Sequence, residues 1–257
     1  MMIPYSISKS ALQGQQHNLN TISHNIANVN TTGFKKKDSQ FTELLHNAVT
    51  EQDVRLANNT DVSLNAGVRQ TASTDNFRQG VLVQTEDPLH LAVGGNGFFG
   101  VRNADNELLL TRDGAFHIDS QNQIVSDRGE RLDMTVMVPV DQWDRSSLSV
   151  SDTGVVSSTI NGEHTVVGQI PLYLPPHSAA VESAGNNMYR VMDGVNLIAS
   201  TNAPENFGSI TSGYIESSTV DLAQSITNMM LSQRAYSLNG KVLQSTDEIY
   251  SLINQFT

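Results

Sequence analysis

The two ends of this 257-residue chain carry apolar residues at a seven-residue spacing that continues over several helical turns. Residues at this spacing line one side of an α-helix and need a partner along its length. The last helix, predicted from Thr219 to Phe256, would be about 54 Å long at 1.5 Å per residue, more than a modest domain covers. The simplest interpretation pairs it with the first helix, predicted from Pro4 to Val29, in antiparallel orientation. An ordinary helical hairpin inside one globule fits the periodicity equally well.

The predicted seam takes one apolar row from each helix, with Ile22 completing the first row. Thr219 or Asp221 can cap the last helix by accepting hydrogen bonds from its free backbone N–H groups. Gly33 can adopt the left-handed conformation that ends the first helix. The seam residues are Tyr5, Leu12, Leu19, Ile22, Ile26, Leu222, Met229, Tyr236, Leu243 and Tyr250. A second row on the last helix contains Ala235, Val242, Ile249 and Phe256.

Charge and cysteine content exclude several classes of function. The chain has 26 acidic and 15 basic residues, for a net charge of -11, so affinity for nucleic acid or an anionic membrane surface is not expected. The absence of Cys excludes disulfides, thiolate metal sites and a cysteine nucleophile. No apolar run is long enough to cross a bilayer, and residues 1–20 lack the pattern of a cleaved signal peptide.

Residues 67–212 form a β-rich region, in which short runs of β-branched and aromatic residues are separated by turn dipeptides such as Asp113-Gly114. This pattern predicts a compact all-β domain of short antiparallel strands. Residues 34–66 are more polar and are predicted to form an extended linker arm. The predicted fold class is therefore α+β, with two terminal helices paired as an antiparallel coiled coil, an inserted all-β domain and an arm.

Two short stretches near the start of the arm carry their own predictions. Lys35, Lys36 and Lys37 form a charge run, which is interpreted as a solvated turn. Phe41 and the pair Leu44-Leu45 could continue a helical turn before the polar loop residues that follow.

The segment Gly95–Gly100 fits the G-x-G-x-x-G fingerprint of dinucleotide-binding loops. That fingerprint needs a helix opening at its last glycine, whereas residues 101–106 are predicted to form a strand running into a turn. The histidines lack metal-binding spacing, and the sequence contains neither a G-x-S-x-G elbow nor a P-loop. We therefore expect a chain that is not an enzyme and has no cofactor, metal or small-molecule substrate.

Two motifs at opposite ends of the chain resemble the terminal signatures of the bacterial flagellar rod and hook proteins. The N-terminal motif contains Asn25, Ala27, Asn28, Asn30, Thr32, Gly33 and Phe34. The C-terminal motif follows Gly213–Ser218 and contains Gln233, Arg234, Ala235, Tyr236, Asn239 and Lys241. The pattern is closest to the distal rod branch of that family.

This resemblance implies a structural subunit that polymerises into the rod, the drive shaft of the flagellar basal body. The implied partners are further copies of the chain, adjacent rod and hook subunits, and the flagellar export apparatus. Export through the flagellum's own channel would place the chain outside the cytoplasmic membrane without a cleaved signal. The segment Leu45–Ala66 would be an arm that contacts neighbouring subunits and keeps the rod straight.

The resemblance also implies that three parts of the chain have different roles. Residues 1–33 and 213–257 would form a discontinuous helical assembly domain, residues 34–66 the arm, and residues 67–212 the β-rich domain. Two alternatives remain: a proximal-rod or hook-type subunit of the same family, and a secreted β-domain binding module on a helical stalk. The second would need exposed aromatic residues around a ligand pocket, and Trp143 is the only tryptophan.

Overall fold

The computed structural model describes residues 3–45, 65–70, 73–160 and 162–256. The fold is α+β, with one long helix at each end and a large β region between them, as predicted. The chain divides into two compact units. We call the first, which comprises Met1–Ala27, Lys36–Asn76 and Val220–Thr257, the helical unit. The second, Asn28–Lys35 and Phe77–Thr219, is the β body.

The helical unit contains two long helices and two short antiparallel strand pairs. Its helices are α1 (Ile3–Ala27) and α2 (Leu222–Phe256). Its strands are β1 (Lys37–Asp38), β2 (Phe41–Leu45), β3 (Asn65–Gln70) and β4 (Thr74–Asp75). Strand β1 pairs with β4, and β2 pairs with β3.

The start of α2 follows from local sequence, whereas α1 ends before Gly33. The Asp221 carboxylate accepts a hydrogen bond from the Gln224 backbone N–H at 3.0 Å, which makes Asp221 the N-cap of α2. Thr219 has a different role, because its N–H donates to the Phe34 carbonyl at 3.1 Å. Helix α1 ends at Ala27, six residues before Gly33. Gly33 has the predicted left-handed conformation, with φ of 64°, but it lies in the following turn and does not end the helix.

The prediction of a helical turn at Phe41 and Leu44-Leu45 was wrong, because these residues form strand β2. Phe41 lies opposite Gln70 and Thr42 opposite Arg69, so the backbone hydrogen bonds of this segment go to β3. A partner so distant in sequence leaves no local signal. Most of the predicted arm, residues 46–64, lies outside the described residues.

The β body consists of short strands joined by turns and four 3-10 helices among its described residues. Its strands are β5 (Leu82–Gln84), β6 (Leu91–Gly94), β7 (Phe98–Arg102), β8 (Leu108–Thr111), β9 (Phe116–Ile118), β10 (Ile124–Ser126), β11 (Arg131–Leu132), β12 (Thr135–Val136), β13 (Ser149–Val150), β14 (Val155–Ile160), β15 (Glu163–Gln169), β16 (Leu172–Leu174), β17 (Val181–Gly185), β18 (Met188–Val191), β19 (Ile198–Ala199), β20 (Ser209–Ser212) and β21 (Tyr214–Glu216). The 3-10 helices are Val140–Gln142, Arg145–Ser147, Ser178–Ala180 and Pro204–Asn206.

Every strand pair described in the β body is antiparallel. The largest sheet has the order β17-β18-β8-β7-β11-β10-β9, with β16 also paired to β7 and β19 paired to β16. A second sheet has the order β12-β15-β14-β13. The last two strands return to early ones, because β20 pairs with β6 and β21 with β5. The last two strands of the β body are therefore hydrogen-bonded to strands near its N-terminal end.

The large sheet is buried on both faces at β7 and β8, which explains their nearly continuous apolar sequences. Successive side chains on a strand point to opposite faces. Phe99 accordingly joins the main core, whereas Phe98 packs with Leu110 and Tyr189 in a second cluster. Trp143 is buried in the main core, and its indole N–H donates to the Val138 carbonyl at 2.9 Å.

Candidate assembly surface and a buried charge cluster

The two terminal helices contact each other through small and polar side chains. Ser225 and Ser232 are buried on α2, and the Asn18 amide of α1 donates to the Ser232 hydroxyl at 2.8 Å. Asn239 and Thr246 continue this row at seven-residue spacing and are half-buried. The most buried row of α2 is therefore polar, with Met229 and Leu243 half-buried beside it. It leaves most of the large apolar side chains described on the helix exposed.

Large apolar residues on α2 remain exposed. A leucine row, Leu231, Leu238 and Leu252, follows the seven-residue spacing with Ser245 between its members. Leu231 and Leu238 are 58% and 62% exposed. The exposed large apolar side chains described on α2 are Leu222, Ile226, Met230, Leu231, Tyr236, Leu238, Val242, Ile249 and Leu252. A large number of exposed apolar side chains on one helix is typical of an interaction site.

The predicted seam residues differ in exposure. On α2, Leu222 and Tyr236 are 44% and 40% exposed, whereas Met229 and Leu243 are half-buried. On α1, Ile22 is buried, and Leu12, Leu19 and Ile26 are half-buried. The side chains of Tyr5 and Tyr250 lie outside the described part of the chain. In the second predicted row, Ala235 is half-buried, Val242 and Ile249 are exposed, and the Phe256 side chain is not among those described.

Sequence reasoning missed the leucine row and the polar row. Both have the same seven-residue period as the predicted seam, so the period alone could have found them. Apolar content favoured the row that begins at Leu222, and no prediction was made for the small polar residues of the last helix. Tertiary contact with α1 decides which row is buried.

The charge of α2 does not oppose association between copies of the chain. The helix carries two basic residues, Arg234 and Lys241, and two acidic residues, Asp247 and Glu248, which cancel. The net charge of -11 therefore lies outside this helix. Two α2 helices can approach without net charge repulsion, while the acidic remainder of each chain keeps it soluble.

The N-terminal signature residues connect segments that are distant in sequence. In the helical unit, Asn25 is buried, and its side-chain amide exchanges two hydrogen bonds with the Lys37 backbone, at 2.8 and 2.9 Å. In the β body, the Thr32 hydroxyl donates to the Asp113 carboxylate at 2.6 Å. Burial raises the pKa of Asp113, and the bond from Thr32 opposes that shift.

Gly33 and Phe34 have packing roles. A Cβ atom on Gly33 would overlap the Arg112 backbone, so both its positive φ and this close approach require glycine. Phe34 is buried, Asn28 accepts a hydrogen bond from the Thr31 hydroxyl, Asn30 is exposed, and Ala27 is exposed on α1. In the C-terminal signature, Gln233, Arg234 and Lys241 are exposed, and Asn239 is half-buried.

A buried charge cluster joins three distant parts of the β body. The Lys35 ammonium donates to Glu216 at 2.5 Å, and the Arg112 guanidinium lies 3.4 Å from the other carboxylate oxygen. The Lys35 and Glu216 side chains are 0% and 1% exposed. The Gly80 backbone N–H also donates to Glu216, at 2.5 Å. Glu216 is thus the anion that two buried cations share.

The interpretation of the lysine run as a solvated turn was wrong for Lys35. Burial lowers the pKa of Lys35 and of Arg112, and in both cases the Glu216 carboxylate counteracts the shift. The Arg78 carbonyl accepts a further hydrogen bond from Lys35 at 2.8 Å. A lysine is buried here because the fold supplies two oxygen partners, one of them 181 residues away. Lys36 and Lys37 are less buried and pair with Asp38 and Asp75.

The G-x-G-x-x-G match does not have the geometry of a dinucleotide-binding loop. Gly100, the last glycine of the G-x-G-x-x-G match, lies inside strand β7, and no helix begins there. Gly95 and Gly97 both have positive φ, at 122° and 127°. Within the described residues, no group of three or more His, Cys, Asp and Glu residues is placed to hold a metal ion. None of the helices in the described ranges is both long and apolar enough to span a membrane.

The sequence matches three protein families in the order of the chain. Residues 7–35 match the flagella basal body rod protein family. Residues 92–158 match the flagellar hook protein FlgE/F/G D1 domain, and residues 211–256 match the flagellar basal body rod FlgEFG protein C-terminal family.

Relatives from distant bacteria are similar over nearly the whole chain. The chain is 31% identical over 256 residues to the flagellar basal-body rod protein FlgG of Buchnera aphidicola subsp. Schizaphis graminum, covering 97% of each protein. It is 31% identical over 264 residues to FlgG of Borreliella burgdorferi, covering 99% of this chain and 98% of the relative. It is 30% identical over 254 residues to FlgG of Bacillus subtilis, covering 93% of each.

Proposed function

The chain belongs to the flagellar basal-body rod protein family, and we propose that it polymerises into the distal part of the rod. It is a structural subunit of the bacterial flagellar basal body and not an enzyme. The exposed apolar surface of α2 is the observation that carries the proposal, because a helix with this surface is incomplete until other molecules cover it. Support for the distal position comes from relatives that carry the name FlgG.

The terminal helices form an antiparallel coiled coil in this proposal. In support, Asn18 lies at Ser232, and the cleft beside this pair continues toward Asn25 on α1 and toward Asn228 on α2. The polar row sets the register of the pair within one subunit. The predicted seam and the leucine row then pack against helices of neighbouring subunits. A head-to-tail contact that does not close produces a filament, as a rod requires.

The proposed roles divide the chain as the sequence predicts. Residues 1–33 and 213–257 assemble the rod, residues 34–66 form the arm, and residues 67–212 form a domain built from β-strands. The clustering of both helices in one unit and of residues 77–219 in the other supports this division, although the described strands at either end of the arm cluster with the helices. Adjacent rod and hook subunits are the proposed neighbours, and the flagellar export apparatus the proposed route out of the cytoplasm.

The position of Trp143 does not support the alternative of a secreted β-domain binding module on a helical stalk. It needed an exposed aromatic ligand pocket, and Trp143 is instead buried in the core of the β body. A proximal-rod or hook-type subunit remains the competing assignment within the family.

Replacing Leu231 and Leu238 together by Asp is expected to abolish polymerisation and leave the β body folded. Each leucine stabilises by about 1.5–3 kcal/mol when fully buried, and an uncompensated carboxylate in the contact would oppose association further. Electron microscopy of the purified chain at high concentration measures rod formation. Fluorescence of Trp143 reports on the β body in the same samples.

The charge-matched control replaces Ser120 and Gln121 by Asp. Both residues are exposed between β9 and β10 of the β body, outside α2. Rods are expected from this control, because it adds the same charge away from the exposed apolar residues of α2. Normal polymerisation of the Leu231→Asp, Leu238→Asp variant would show that this surface of α2 does not form the contact between subunits. Discrete particles in place of rods from the wild-type chain would overturn the proposed function.

A further inference from the structure

The chain segment that follows α1 folds back along that helix and is held to it at four levels. From the C-terminal end of α1, Asn25 binds the Lys37 backbone. Next, the Ser39 hydroxyl donates to the Asn18 side chain at 2.6 Å. One turn further, the Phe41 ring lies over Gly14. Finally, the Val68 N–H donates to the Ser10 hydroxyl at 3.3 Å.

These positions on α1 share one side of the helix over its middle turns. Ser10, Gly14 and Asn18 are spaced by four residues, which places their side chains above one another. We call Ser10, Gly14, Asn18 and Asn25 the seat. Its members are small or have short polar side chains, so a β-ribbon can approach the helix closely. Asn18 contacts both the returning segment and Ser232 of α2, and therefore joins three elements.

The β2–β3 hairpin presents one face to the seat. Phe41 and Gln70 are cross-strand partners, and Val68 lies two residues before Gln70, so Phe41 and Val68 share a face. Val68 is half-buried and the Phe41 side chain remains 45% exposed beside Gly14, while Thr42 and Arg69, on the opposite face, are exposed. The hairpin thus docks in a defined orientation.

Gly14 is the position at which the seat has no spare volume. A Cβ atom added there would lie 3.0 Å from the Phe41 ring, closer than ordinary van der Waals contact. Gly240, in α2, is also a glycine inside a long helix, but a Cβ atom there would meet nothing within 4 Å. Glycine in a helix interior costs about 1 kcal/mol relative to Ala. At Gly14 the cost is offset by contact with Phe41.

We propose that the seat anchors the two ends of the arm to α1, so that the root of the arm and the terminal helix behave as one rigid element. The proposal rests on the proposed rod function and deepens it by identifying what holds the arm. In an assembled rod, a bending force on the arm would be transmitted to α1, because the arm is bound to that helix. A flexible tether between helix and arm would transmit no bending resistance, whereas a seated hairpin does.

Gly14→Leu is the variant that tests the seat, because the leucine side chain occupies the volume of the Phe41 ring. Hydrogen exchange in the unassembled chain is expected to become about 10-fold faster or more in residues 37–45 and 65–70. Gly240→Leu, which gains the same helix propensity, is expected to leave that exchange unchanged. The double variant Gly14→Leu, Phe41→Ala restores space and is expected to recover part of the protection.

Rod shape gives the second measurement. Rods grown from Gly14→Leu are expected to be curved or more flexible in electron micrographs, with normal Trp143 fluorescence. Unchanged exchange in Gly14→Leu, or equal effects of Gly14→Leu and Gly240→Leu on exchange, would overturn the seat. Straight rods from a variant whose exchange has increased would show that the seat does not stiffen the rod. A wild-type chain that forms no rods would instead refute the proposed function, and the exchange measurement would still decide whether the seat exists.

Discussion

Replacing Glu216 by Gln is expected to lower the free energy of unfolding of the β body by about 3–5 kcal/mol, the cost of removing one partner from a buried ion pair. The variant leaves the Lys35 and Arg112 charges together in a buried site without their anion. Urea unfolding followed by Trp143 fluorescence isolates this effect, because the only tryptophan of the chain lies in the β-body core.

Two further variants test whether the loss of stability comes from the missing charge of the Glu216 carboxylate. Glu163→Gln removes an exposed carboxylate from β15 and is expected to change the free energy of unfolding by less than about 0.5 kcal/mol. Combining Glu216→Gln with Lys35→Met removes one of the two cations as well, and should recover part of the loss. Losses of Glu216→Gln and Lys35→Met that simply add in the double variant would mean that the two side chains are not energetically coupled, and would contradict this prediction.

Replacing Gly114 by Ala is expected to lower the free energy of unfolding of the β body by about 3 kcal/mol or more, in the range reached when backbone contacts are broken. A Cβ atom at this position would overlap the Leu91 carbonyl oxygen. The backbone cannot move away easily, because the Gly114 carbonyl accepts hydrogen bonds from Leu91 and Phe116, both at 2.9 Å. The same urea measurement tests this prediction.

Gly129→Ala is the matched control for Gly114. Gly129 has a φ of 88°, and a Cβ atom there meets nothing within 4 Å, so only backbone strain is added. That strain costs about 1–2 kcal/mol. A Gly114→Ala loss no larger than the Gly129→Ala loss would mean that the close approach to Leu91 relaxes without cost. The Asp113-Gly114 dipeptide was chosen from sequence as a turn, whereas the close approach to Leu91 is visible only in the fold.

The helices and many strands could be predicted because their signals are local. The ends of α1 and α2 fall within three residues of the predicted ranges, and Asp221 was one of the two predicted caps. Runs such as Phe98–Arg102 and Leu108–Thr111 are strongly apolar and bounded by turn residues. Strand β2 was missed, because its partner β3 lies far away in the sequence and its own composition also fits a helical turn. No individual strand was predicted at β16–β21, several of which pair with distant strands, as β16 does with β7 and β20 with β6.

The seven-residue periodicity of α2 predicts a helix but does not predict which of its rows is buried. Several rows of this helix repeat every seven residues, and the sequence alone cannot rank them. Ser232 is buried where Asn18 of α1 donates a hydrogen bond to it, and Ser225, one heptad earlier, is buried in the same row. Leu231 and Leu238 remain exposed, since the space beside α1 is already occupied by the polar row.

From sequence, the chain was determined to be an α+β molecule with helical ends, an acidic body and the two terminal motifs of a rod protein. These properties depend on residue type and spacing over short distances. The tertiary structure alone decided that Lys35 is buried with Glu216, that the segment after α1 returns along Ser10, Gly14 and Asn18, and which row of α2 is left exposed. Each depends on a partner far away in the chain, and the free energy of burying a charge or docking a ribbon exists only when that partner is present.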